Sequence, residues 1–177
     1  MQIKDIKWPI VIITCAIAIS LFLGIQYWRQ KQLIEEPLML ALQEKQGVEE
    51  VSLLQKDKTL NIVLTMSKVD DFASFYQRIE TKVEEMYRGD YDVTVVDAPD
   101  ETLMAAYGNI HLAIYEAIDQ GNYVSMGEYV AEVSQNYELD YNMVVLEEDI
   151  YLQLHHGDSF LYRRFPRFLP SKGDDVL

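Results

Sequence analysis

The chain has 177 residues, with 15 basic and 29 acidic side chains and a formal net charge of −14. A surface this negative repels phosphate backbones, which excludes nucleic acid as an expected partner. Its one cysteine, Cys15, excludes an internal disulfide framework and leaves the redox compartment undetermined.

Residues 1–7 form a short flank. Residues 8–28, WPIVIITCAIAISLFLGIQYW, contain no Asp, Glu, Lys or Arg. As a helix rising about 1.5 Å per residue, such a run spans roughly 30 Å, the depth of a hydrocarbon core. Trp8, Tyr27 and Trp28 then stand at the lipid–water boundaries, where aromatic belts form. After Leu23 the chain offers no small-x-small cleavage site, so the run predicts an uncleaved transmembrane signal anchor. The expectation is a single-pass protein of the cell membrane, with the bilayer as a partner and the remainder extracytoplasmic. Lys4 and Lys7 on one side nearly balance Arg29 and Lys31 on the other, so charge alone leaves the orientation close to a tie.

Beyond the anchor, residues 32–177 hold 11 basic and 28 acidic side chains, a net charge of −17. Between Gly89 and Leu161 there is no Lys or Arg. The pattern suits a docking face for a basic partner or for divalent cations, or a solvated acidic surface that keeps the body dispersed.

Residues 29–97 read as an αββαβ unit. The helical pattern from Arg29 to Gln46 is interrupted by Pro37, which predicts a break and a new helix start near Glu36. Gly47 is read as its left-handed cap. Two runs joined at Lys56-Asp57-Lys58 predict a hairpin, with Leu60, Ile62, Leu64 and Met66 on one face. Asp70 and Asp71 open a helix buried through Phe72, Phe75, Tyr76, Ile79, Val83 and Met86. Arg88-Gly89-Asp90 ends it, and Tyr91 to Val96 is a third strand.

Residues 98–170 read as an ααβββ unit, followed by a tail over 171–177. Asp97 to Asp100 is a turn and helix start. Leu103, Tyr107, Ile110, Ile114 and Ile118 mark one stripe of a helix ending at Gly121. A second helix follows Asn122, with Ser125 to Glu128 at capping-box spacing. Three strands then form a meander, Tyr141–Leu146, Ile150–His155 and Phe160–Phe165. The fold class expected is α+β: a transmembrane helix, then an αββαβ unit packed with a helical hairpin and a three-stranded antiparallel meander.

Gly47-Val48-Glu49-Glu50-Val51, the charged turn, Leu60 to Leu64 and the following helix and strand resemble the ring-building motif of secretion and sporulation channel components and the related BON-type domains. That resemblance covers about a third of the chain. It implies a module that packs on copies of itself or on envelope partners and has no active site. Ala117 to Tyr123, with Tyr129, is similar to the turn of a tetratricopeptide repeat, although one copy makes a helical hairpin rather than an array.

Two clusters carry candidate chemistry. His155, His156 and Asp158, joined by His111, have the donor types of a divalent-metal site, but adjacent strand residues point to opposite faces. A polar hairpin tip is the competing reading. Arg163, Arg164 and Arg167, among Phe165, Pro166 and Phe168, form an interaction patch. It is either an internal clasp on the acidic surface or a fork for a partner's carboxylate. No nucleophile elbow, HExxH or D-x-[DN]-x-[DN]-G loop occurs. The expected function is therefore a membrane-anchored, non-enzymatic interaction or scaffold domain of the bacterial envelope that meets a protein partner or itself. The alternative is a tethered metal- or ligand-binding sensor, with a hydrolase behind both.

Overall fold

A computed structural model describes residues 13–22, 35–56 and 58–168. Its first helix, α1, covers residues 13–22. Then follow α2 (Glu36–Gln43), β1 (Val48–Lys56), β2 (Thr59–Met66), α3 (Phe72–Met86) and β3 (Tyr91–Val96). The second half contains α4 (Glu101–Gln120), α5 (Tyr123–Asn136), β4 (Asp140–Val145), β5 (Asp149–His156) and β6 (Ser159–Pro166). The chain is α+β, with five helices and two three-stranded sheets among the described residues.

The transmembrane anchor is corrected. Among the described residues, no helix is long and apolar enough to cross a membrane. Residues 8–12 and 23–28, with Trp8, Tyr27 and Trp28, lie outside the described residues. The single-pass cell-membrane placement rested on that anchor and falls with it. Residues 29–34 and 171–177 also lie outside the described residues.

β1 runs antiparallel to β2, and β2 runs parallel to β3 across the α3 crossover. Alternation decides which face of this sheet is covered. Leu60, Ile62, Leu64 and Met66 are buried, in one cluster with Leu38 and Leu42 of α2 and Phe75, Ile79 and Val83 of α3. Pro37 sits in the first turn of α2, where its missing N–H costs no helical bond. Asp71 caps α3 by accepting from Ser74 N at 3.1 Å.

The second sheet, β4–β5–β6, is an antiparallel meander with helices on both faces. Ile150, Leu152, Leu154, Leu161 and Phe165 pack with Leu103, Ile110, Ile114 and Val130 of the α4–α5 hairpin. Tyr151 and Tyr162 point the other way, into the cluster built around α3. There the Phe72 ring stacks on Tyr162 at 4.8 Å and meets Tyr151 and Tyr76 edge-on at 6.0 and 5.7 Å. α3 therefore serves both sheets.

Polar side chains of the second sheet hold the start of α3. Gln153 accepts from Phe72 N at 2.8 Å and donates to Asp70 O at 3.1 Å. The Tyr162 hydroxyl accepts from Val69 N at 2.8 Å and lies 3.1 Å from His155 Nε2. These bonds satisfy backbone groups that would be costly to bury unpaired.

Two local expectations change. α2 ends at Gln43, and Gly47 (φ +99°) lies in the turn beyond it rather than at the cap. The Ser125–Glu128 capping box is not used, because α5 begins at Tyr123, with Asn122 as its N-cap after the left-handed Gly121 that closes α4.

Candidate interaction surfaces

The two sheets approach each other along β3 and β6. At one end Ala98 and Phe160 form an antiparallel bridge, with Phe160 N donating to Ala98 O at 3.2 Å. Beyond it the strands part, leaving a cleft of about 380 Å³ walled by Val93 and Val95 on one side and by Tyr162, Arg163 and Arg164 on the other.

Arg163, Arg164 and Arg167 of the predicted patch are all engaged within the chain. Arg163 Nη1 donates to Asp97 at 2.6 Å and to Tyr162 O at 2.7 Å, with its guanidinium over the Tyr107 ring. The same Asp97 oxygen accepts from Tyr162 N at 2.7 Å, and the Asp97 side chain is only 8% exposed. Arg164 pairs with Asp149 at 2.9 Å and Glu80 at 3.4 Å, and lies over Tyr76. Burial pushes the Glu80 carboxyl above the usual carboxylate range, while Arg164 beside it pulls the other way. Arg167 donates to Leu146 O, Glu147 O and the Tyr123 hydroxyl.

Burial also raises the Tyr76 and Tyr162 hydroxyls to about 12, so both stay protonated at neutral pH. The cleft is an ion-paired joint between sheets, and these tyrosines supply it with no neutral-pH base.

The predicted metal donors do not converge. His155 and His156 take opposite sides of β5, as the strand period requires. His155 is buried against Tyr162, whereas His156 Nδ1 lies 2.6 Å from Asp100, the residue that caps α4. His111 sits on α4 beside Tyr107 and Tyr115, and Asp158 is exposed in the β5–β6 turn. Among the described residues, no group of three or more His, Cys, Asp or Glu side chains is placed to hold a metal ion.

The outer face of the α4–α5 hairpin is different in kind. Leu103, Ala106, Ile110, Ile114 and Ala117 turn α4's apolar stripe onto the second sheet. Yet the opposite side of α4 is not polar, as a solvent-facing helix side ordinarily is. Apart from His111, no acidic or basic residue occurs between Glu101 and Glu116. Leu112 is 65% exposed, Met104 48%, and Tyr129 on α5 40%. Leu112, Ala113, Met126 and Tyr129 line a groove of about 380 Å³, with Asn109, Glu116, Asn122 and Ser125 as its polar members. Asn122 Oδ1 is buried there without a hydrogen-bond partner. The charges of α4 and α5 (Glu101, Glu116, Asp119, Glu128 and Glu132) are exposed and all of one sign. Apolar groups exposed together and rimmed by charge mark interaction sites.

Comparison with family models, with curated proteins and with solved structures finds no match to this chain.

Sequence reasoning placed Asp97 in a turn without its partners and did not single out Gln153; Tyr162 N and Phe72 N, which they accept from, lie 65 and 81 residues away. It also missed the unpaired side of α4. The signal for that side was present: a long helix with no acidic or basic side chain between Glu101 and Glu116 apart from His111, in an acidic chain.

Proposed function

We propose that this chain is a non-enzymatic protein-interaction module whose docking surface is the outer face of the α4–α5 hairpin. The observation that carries the reading is the exposed Leu112 of the groove, with Met104 and Tyr129, on helices whose own core contacts are complete. Burying such side chains against a partner releases roughly 1.5–3 kcal/mol each. The arginine patch has a different role: Asp97–Arg163 joins the two sheets, Arg164 ties β6 to Asp149 of β5 and to Glu80 of α3, and together they hold the hairpin's platform rigid.

A photo-crosslinking residue at position 112 tests this in cells, with one at Leu54, exposed on β1, as the control. The expected result is a discrete protein adduct from position 112 alone, lost when Tyr129 is also changed to Asp. Equal adducts from both positions, or none from position 112, would reject the reading.

A further inference from the structure

Resting on that docking reading, we propose that the α4–α5 groove receives a basic amphipathic helix of a partner protein. Three observations converge on this occupant. The groove runs along α4 from Asn109 to Glu116, a length of about 10 Å, or two turns of a third helix laid between α4 and α5. Its floor is apolar at Leu112, Ala113 and Met126, which matches the stripe of an amphipathic helix. Its wall includes Glu116, the exposed Glu128 and Glu132 stand one helical turn from the groove-lining Ser125 and Tyr129, and neither α4 nor α5 carries a Lys or Arg.

The same charges argue against a second copy of this chain. Two such faces would bring like charges together, which costs affinity at every contact. A helix with Lys or Arg flanking its apolar stripe meets no such opposition.

The test uses the full chain and three synthetic helices: Leu/Lys at amphipathic spacing, the same peptide with Glu for Lys, and a scrambled Leu/Lys peptide. The expected result is micromolar binding of the first alone. Leu112→Asp should weaken that binding at least tenfold, although it makes the surface more negative. Simple attraction of a basic peptide to an acidic protein predicts the reverse. Glu128→Lys with Glu132→Lys should weaken the Lys peptide and admit the Glu peptide.

Equal binding of the scrambled peptide, or binding indifferent to Leu112→Asp, overturns the proposal. So does self-association of the chain that Leu112→Asp abolishes, which assigns the face to a second copy. An adduct from position 112 whose contacted segment is neither basic nor helical leaves the docking reading standing and removes this inference alone.

Discussion

Replacing Asp97 with Ala tests whether the joint between the sheets is structural. Asp97 holds Arg163 at 2.6 Å and Tyr162 N at 2.7 Å through a carboxylate that is 8% exposed. Its removal leaves the Arg163 guanidinium with Tyr162 O and the Tyr107 face, and takes the acceptor from a backbone N–H. Breaking a buried pair from one side costs about 3–5 kcal/mol; with Arg163 29% exposed, solvent screening places this case near the lower end. For a body of this size about 3 kcal/mol corresponds to a fall of about 10 °C in Tm. Asp97→Asn keeps an acceptor for Tyr162 N and should fall by about half as much. Thermal melts at neutral pH give the result, with Lys82→Ala as the control because the Lys82–Glu85 pair is exposed and worth at most about 0.5 kcal/mol. Removing an acid from a chain of charge −14 also relieves self-repulsion, so a loss cannot come from net charge. An Asp97→Ala melt no lower than the Lys82→Ala melt would refute the reasoning.

Three further outcomes follow from the same packing. Gly47→Ala forces a left-handed backbone on a side chain and drives its Cβ into Val69 Cγ1; a loss of at least about 2 kcal/mol is expected in urea unfolding, and a neutral result contradicts the turn. Gln153→Ala strips the acceptor from Phe72 N, so stability should fall by about 1–3 kcal/mol and amide exchange over 70–76 should quicken. His155 is held below its ordinary 6.5 by burial first and Lys68 second. The fold thus favours its neutral form, and that stabilisation is full above about 6.5 and lost as pH falls through it toward the folded value. His155→Gln should therefore lose less stability than wild type between pH 7.5 and 5; equal losses contradict the burial.

The parts of the fold legible in sequence are those with a short-range physical cause. Period-two burial from Leu60 to Met66, the acidic caps Asp71 and Asp100, and Gly121 at a left-handed helix end are each written within a few residues. The second sheet was legible as a meander but not as a layer covered on both faces. Gln153, His155 and Tyr162 carry polar atoms whose partners, Phe72 N, Asp70 O, Val69 and one another, are not visible in the local pattern. Asp97 was one acid among 29, and nothing local marks it as Arg163's partner. The apolar run over 8–28 predicts a spanning helix on length and composition, whereas no helix among the described residues is long and apolar enough to cross a membrane. The docking groove was half legible: the absence of basic residues was visible, whereas the pairing of Leu112 with Tyr129 across two helices needed the hairpin's geometry.

Hydrogen exchange of the full chain, alone and with the protein captured from position 112, addresses the docking claim most directly. Added protection should fall across 104–132 and leave 92–97 and 162–166, the walls of the β3–β6 cleft, unchanged. Protection at that cleft, with the α4–α5 hairpin exchanging as in the free chain, would contradict the account.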